Sequence, residues 1–395
     1  MIMKTNWKTK KLGEIDDISF LRGNGLNKSL IDVRGDSKCI LYGELYTKYT
    51  HPVITTVISK TNFKGNVRSE IGDVLVPGTT TADAYGIAIA RSLNEKGVIL
   101  GGDINILRTK NKEILADYLS FFLNGPAKME LALYATGTNI MHLSNKKIQN
   151  IEIVYPSTHE QKRLVKILDE VFEKVTKAKE SAEKNLRNSK ELFESYSRTT
   201  FENPGSWSTK TLGEVCNLYQ GIAINAKTRH ALVEKSELPL LRIKDLKNNS
   251  VEQYIDPNNY PKNALVVESD LIYTRTGQIG LVFTGKKGVL HNNSFKIEPN
   301  HSLSREYLFY WLQNPTFKSK IISLASRAAQ PDITHTLFKQ QQIAIPSLPE
   351  QKTIVKKLEI LSVETKKLEK IYEQKLTDLE ELKKSVLQQA FTGKL

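Results

Sequence analysis

Two stretches of the chain carry one long pattern of apolar and polar positions. Beyond Pro156 no Pro or Gly occurs until Pro204-Gly205, and beyond Pro349 none occurs until Gly393. In the first stretch apolar or small residues fall at Leu164, Leu168, Val171, Val175, Ala178, Ala182, Leu186, Ser189, Leu192 and Tyr196. In the second the same register holds Ile354, Leu358, Leu361, Thr365, Leu368, Tyr372, Leu376, Leu379, Leu382 and Val386. Steps of 3 and 4, with Lys and Glu between, predict a coiled-coil seam on two helices of about 40 residues, each roughly 60 Å long. The flanking segments have another texture. Short β-rich runs, among them Val53–Ile58, Val98–Leu100, Ala264–Val267 and Gly280–Phe283, are punctuated by Gly, Asn and Pro. Each segment also holds one helical stretch, around Tyr118–Leu123 and Tyr307–Leu312.

The two halves are copies of each other. Trp7, Leu12-Gly13-Glu14 and Asp73 recur as Trp207, Leu212-Gly213-Glu214 and Asp270, and Pro156 with Glu160-Gln161-Lys162 recurs as Pro346 with Glu350-Gln351-Lys352. From Pro156 to Phe201 the match to Pro346–Phe391 runs without a gap at an offset of 190, whereas earlier offsets wander. That period is too long for a solenoid. The reading is an α+β chain of two pseudo-symmetric domains and two long helices: a head over 1–155, a helix over 156–201, a second head over 202–345 and a second helix over 346–395.

Charge follows the duplication. The net +14 divides into an excess of 5 basic residues in each head and 2 in each helix. A basic protein built twice points to an acidic partner, double-stranded DNA first. No apolar run approaches the roughly 18 residues of a membrane span. With Cys39 and Cys216 alone there is neither a disulfide framework nor a cysteine zinc site. The expectation is a cytoplasmic protein with no membrane contact.

The search for chemistry yields little. Asn314-Pro-Thr-Phe317 approaches the Asn-Pro-Pro-Tyr/Phe signature of adenine methyltransferases, yet it lacks the second Pro and a preceding glycine-rich cofactor strand. Arg22-Gly-Asn-Gly-Leu-Asn-Lys28-Ser29 does not fit the spacing of a phosphate loop. The seven histidines show no HExxH or H-x-E. No catalytic or metal-ligating residue is therefore assigned. What remains are basic and amide side chains in loop-like sequence, of the types that read base edges or hold phosphates. In the first head these are Lys28, Arg68, Thr79, Thr80, Tyr85, Arg91 and Asn139. In the second they are Gln220, Arg242, Lys244, Arg275, Gln278, Asn292 and Gln330.

Together, the paired Trp-x-x-x-x-Leu-Gly-Glu openings, the Pro-x-x-x-Glu-Gln-Lys helix starts and the Phe391-Thr-Gly-Lys-Leu395 ending resemble the specificity subunit of type I restriction–modification systems. The resemblance covers essentially the whole chain. It implies two target recognition domains, each reading one half of a split, asymmetric DNA sequence, and an antiparallel coiled coil that holds them apart. It also implies that catalysis lies elsewhere, on two methyltransferase subunits using S-adenosylmethionine and two restriction–translocase subunits using ATP and Mg2+, with no cofactor in this chain. On that arrangement, seven residues added to each helix add about 10 Å, or about three base pairs of unread spacer. Two alternatives stay open: a coiled-coil protein scaffold without sequence-specific readout, and a self-contained DNA methyltransferase. The first predicts no sequence-selective retention of DNA, and the second predicts methyl transfer by the isolated chain.

Overall fold

The computed structural model describes residues 7–203, 205–325 and 331–395. The chain resolves into two compact units, and both cut across the long helices. One comprises the described part of Met1–Glu183 with Gln374–Leu395; the other is Lys184–Glu373. The two helices span Thr158–Glu202 and Leu348–Phe391.

In the first unit the head is built on a mostly antiparallel five-stranded sheet in the order Ile18–Arg22, Ile104–Thr109, Asp73–Pro77, Arg91–Leu93 and Val53–Ile54, with only the outermost pair parallel. Its central strands are buried except at Arg108, as expected where both faces are covered. The helix Ala116–Asn124 closes one face with Tyr118, Leu119, Phe121 and Phe122. The second unit repeats the order with four strands: Cys216–Gln220, Ser294–Pro299, Leu271–Thr274 and Val282–Phe283. Glycines mark one crossing that recurs in both units. A Cβ on Gly23 would lie 1.8 Å from the carbonyl oxygen of Gly101, and one on Gly221 would lie 2.4 Å from that of His291. The Gly-Asn-Gly run is thus a close backbone approach, not a phosphate cradle.

The recurring motifs are structural brackets. Gln161 is fully buried; its Oε1 accepts from the Leu115 amide at 2.9 Å, and its Nε2 donates to the carbonyls of Glu113 and Pro156. Gln351 repeats this in the second unit with the Ser304 amide and the carbonyls of Ser302 and Pro346. Each glutamine therefore ties the start of a long helix to the loop ahead of the head's own helix, satisfying one buried and two partly buried backbone groups at once. Tyr118 donates to the carbonyl of Val154 and Tyr307 to that of Ala344, at 2.7 and 2.8 Å.

Within the first unit the helices run antiparallel: Lys179 pairs with Glu380 at 2.8 Å, and Arg163 donates to the main-chain oxygen of Leu395 at 2.6 Å. Phe391 is buried edge-on against Tyr118 and Phe122, with ring centroids 5.1 and 5.4 Å away. In the second unit Phe201 meets Tyr307 in the same way at 5.5 Å. Each helix thus begins on its own head and ends on the core of the other copy. The seam of the first helix follows the sequence pattern until its end, where the structure differs; on the second helix the expected seam residues Leu368 and Leu382 are also exposed, at 37% and 45%. Leu192 and Tyr196 are exposed, and the inward face passes through the buried Ser189 and Ser197 and the half-buried Phe193 and Phe201. Steps of four rotate the face around the helix, so the last turns address the head. Phe193 approaches Tyr310, and the carbonyl of Ser197 accepts from Asn314.

Candidate nucleic-acid interface

In both heads, the chain leaving the central strand pairs with the segment that precedes the last short helix. Thr79 and Thr80 pair with His142 and Met141, and Thr276 bridges Asp332. Around these pairings the structure gathers several of the expected residues.

In the first unit Thr136 and His142 exchange backbone hydrogen bonds at 3.0 and 2.7 Å, forming a small hairpin whose tip, from Gly137 to Ile140, is exposed. Asn139 sits at that tip. Thr79 is half-buried beside it, its carbonyl accepting from the Tyr46 hydroxyl at 3.3 Å. Thr80 is buried, and its hydroxyl caps the Ala82 amide, so it orders the loop rather than facing outward. Tyr85 is 45 % exposed on the short helix Ala84–Ile87, which packs on the same strands. Arg91 is 7 % exposed, and its guanidinium is enclosed among the carbonyls of Tyr49 and Ala90 and the amide of Asn124. Lys28 and Arg68 are exposed elsewhere on the head; Lys28 lines a cavity of about 960 Å³, and Arg68 donates to the Gly97 carbonyl.

In the second unit Gln220, Arg275 and Asn292 form one network. Arg275 grips Asp332 with two nitrogens, one at 2.9 Å, and donates a third bond to Gln220 Oε1 at 3.1 Å. Gln220 Nε2 then donates to the Asn292 carbonyl at 2.6 Å. The two-pronged ion pair fixes the guanidinium plane. Next to it, the loop 275–280 turns through Gly277 at φ +70° and presents Gln278 to solvent. Three buried polar atoms near this network have no hydrogen-bond partner among the described residues: Asn293 Oδ1, Ser294 Oγ and His335 Nε2. Burial and the charges of Arg275 and Lys339 hold His335 below the ordinary imidazole range. Arg242 and Lys244 lie at another corner. Arg242 is clasped by Asp245, Glu252 and Gln253, and Lys244 by Glu252, so both serve the cap of the helix Ile243–Asn248. Gln330 lies outside the described residues.

The methyltransferase-like motif resolves as a helix cap. Asn314 is buried; its Oδ1 accepts from the amides of Thr316 and Phe317 at 2.9 and 3.2 Å, with Pro315 opening the helix Pro315–Ala325. Its amide group is committed on both sides. Burial pushes the Cys39 and Cys216 thiols up to about 11 and about 12, which makes both poor nucleophiles. Among the described residues no group of His, Cys, Asp or Glu has the geometry of a metal site, and no helix is long and apolar enough to cross a membrane.

Sequence reasoning did not single out Lys128, Lys383 and Lys384. Lys128 lies 4.2 Å over the Tyr85 ring, and Lys383 lies 5.2 Å over that of Phe172. Nothing local in the sequence joins them, because some 250 residues separate Lys128 from the other two.

Two related heads, each with amide-bearing loops at one sheet end and each braced by both long helices, define a duplicated DNA-recognition protein. Comparison with known proteins agrees. The family described as type I restriction modification DNA specificity domain matches residues 4–185 and 204–378, and the chain belongs to that family. It is 26% identical to the MjaVIII specificity subunit of Methanocaldococcus jannaschii, over 99% of this chain and 93% of that one. With the EcoBI specificity subunit of Escherichia coli it shares 22% identity, over 66% of this chain and 62% of the relative. Among solved structures it resembles a chain from a study of complex assembly and conformational transition of the type I R-M system, with a TM-score of 0.75, 17% identity and full coverage of both chains. The HsdS subunit from Thermoanaerobacter tengcongensis matches with a TM-score of 0.59, at 17% identity, over 100% of this chain and 98% of that one. The expectation drawn from the paired motifs therefore holds, for the family and for the fold.

Proposed function

We propose that this chain selects the DNA target of a type I restriction–modification enzyme and contributes no catalytic group of its own. Each head reads one half of a bipartite, asymmetric sequence, and the chain brings methyltransferase and restriction–translocase subunits to it. The observation that carries this reading is the duplication at the level of side chains. The glutamine bracket, the tyrosine latch and the terminal phenylalanine recur in both units, while the loops beyond the central strands differ: Gly78-Thr-Thr-Thr81 in one, Arg275-Thr-Gly-Gln278 in the other. A scaffold repeated twice with different loops suits two half-sites of different sequence.

The repeated helix starts support two copies of each partner, one per unit. S-adenosylmethionine, ATP and Mg2+ then belong to those partners, and the complex works on DNA in the cytoplasm. Asn139 in the first head and Arg275 with Gln278 in the second are the proposed base readers, since amide and guanidinium groups pair with adenine and guanine edges. Lys28, Arg68 and Lys244 are proposed phosphate contacts.

Reconstitution tests the proposal. The chain, mixed with the methyltransferase subunit of its host's type I system, is expected to direct adenine methylation to one split sequence, and neither protein alone does so. Methyl transfer by the isolated chain, or methylation whose position ignores this chain, overturns it.

A further inference from the structure

One corner of the two heads matches in its backbone and differs in its side chains. In the first unit the Gly78 amide donates to the Asp103 carbonyl at 2.6 Å, and the Gly78 carbonyl accepts from the Leu143 amide at 2.9 Å. In the second unit Arg275 stands in that place. Its amide donates to the Asn293 carbonyl at 2.9 Å, and its carbonyl accepts from the Ile333 amide at 3.0 Å. The next residues also pair alike, Thr79 with His142 and Thr276 with Asp332. Gly78 and His142 therefore occupy the positions of Arg275 and Asp332. The first head closes this corner by main-chain bonds with no ion pair at these positions, so the fold does not require the one in the second.

The added side chains are held in a fixed order. Arg275 Nε and Nη2 grip the two carboxylate oxygens of Asp332, and Nη1 donates to Gln220 Oε1 at 3.1 Å. The Asn292 carbonyl accepts from Gln220 Nε2 at 2.6 Å, which turns the amide so that its oxygen faces the guanidinium. Three of the five guanidinium donors are thus committed, and the other two have no partner among the described residues. The Arg275 side chain is 21 % exposed, so it is held but not sealed off. The loop that leaves it is closed at its base, where the Gly280 amide donates to the Thr274 carbonyl at 3.0 Å.

Two acceptor groups on DNA suit a pair of guanidinium donors: a phosphate, and the O6 and N7 edge of guanine. Charge separates them. The Asp332 carboxylate cancels the guanidinium charge and repels a phosphate placed beside it. A neutral base edge takes the two donors without that penalty. The corner also changes between heads, as a position that reads different bases must.

We propose that Arg275 reads a guanine in the half-site of the second head, and that Asp332 and Gln220 are positioning residues that set the plane of its two free donors. The assignment rests on the reading of this chain as a DNA-recognition subunit and gives that reading one base. A guanidinium fixed before contact loses little rotamer freedom on binding.

The test uses the complex with its methyltransferase subunits, a duplex carrying the motif methylated in the host, and a scrambled duplex. Each guanine of the motif is replaced in turn by 7-deazaguanine, which keeps the base pair and loses the N7 acceptor. Wild type is expected to bind at least one of these duplexes about 5-fold or more weakly, and an A·T pair at that position is expected to cost about 5- to 150-fold. In Arg275→Gln and in Asp332→Asn the 7-deaza effect at that guanine is expected to fall towards none, with the effects of changes at other positions kept. A mere structural brace lowers binding alike at every position. Arg275→Gly with Asp332→His, the residues of the first head at this corner, is a second variant on a backbone that accepts them.

Three results overturn the assignment. They are a target-selective wild type insensitive at every guanine, Arg275 variants that keep every sensitivity of wild type, and a loss of affinity equal on target and scrambled duplexes, which marks a phosphate contact. Full sensitivity in Asp332→Asn removes Asp332 from the positioning role. A wild type with no preference for the target over the scrambled duplex overturns the parent reading itself.

Discussion

The most informative perturbation of the fold is Phe391→Ala. Phe391 lies in the last turn of the second long helix, 8 % exposed, with edge-to-face contacts to Tyr118 and Phe122. Removing a buried phenyl ring costs about 3–5 kcal/mol, the larger figure applying where the surroundings cannot close on the cavity. Closure is hindered here, because Leu387 and Ala390 pack in the same cluster and Tyr118 is held by its bond to Val154. The cost falls on a core assembled from residues some 220 to 380 positions earlier, including Leu12, Leu164 and Leu168. At the lower bound of about 3 kcal/mol, hydrogen exchange through opening of this unit accelerates by more than about 100-fold. Hydrogen-exchange mass spectrometry reads it directly. Peptides covering 116–124 and 164–172 are expected to lose protection together with 380–391, while those covering 271–274 and 294–299 do not change. Loss confined to 380–391 refutes the assignment of this helix end to the first unit. The companion Phe201→Ala is expected to act on the peptides around Tyr307, less strongly because Phe201 is only half-buried.

Three further outcomes are expected. Gln161→Leu leaves the Leu115 amide and two carbonyls unpaired in the interior, and chemical denaturation is expected to show a loss of about 3 kcal/mol or more from the first unit; Gln351→Leu is expected to cost the second unit a similar amount. The folded pKa of His335 lies below its unfolded value, so the second unit is at full stability above about pH 7 and loses stability as pH falls through the unfolded value near 6.5. His291 shifts in the same direction, so His335→Gln should reduce the slope of melting temperature between pH 7 and 5 without abolishing it. Gln278→Ala is expected to cost about 1–3 kcal/mol at one base pair, and methylome sequencing should show relaxed preference at that position in one half-site with the other half-site unchanged.

Much of the architecture is written in the sequence because helices are local. The two gapless stretches, free of Pro and Gly beyond their first turns, give the long helices and their seam. Leu192 and Tyr196 depart from it because the last turns of that helix pack on a head, which periodicity along one helix does not encode. The α+β heads are legible from short β-rich runs, although their strand order is not. The site residues divide by the range of their partners. Gln278 and Asn139 sit in turns marked by Gly277 and Gly137, and both are exposed as loop residues should be. Arg91 looks like a loop cation, yet it opens a strand whose neighbours and covering helix bury it, a consequence of non-local pairing. Lys128 and Lys384 meet only because the second helix returns to the first head. The one advance sign was the recurrence of Phe201 and Phe391 at the same repeat position.

The central claim is that one duplicated chain sets the DNA sequence on which a separate enzyme acts. Single-molecule methylome sequencing of the host, with the gene intact and deleted, tests it most directly. The account predicts adenine methylation at one bipartite motif, with two half-sites of different sequence around an unread spacer, and complete loss of that motif on deletion. A methylome unchanged by deletion, or a lost motif that is palindromic and undivided, contradicts it.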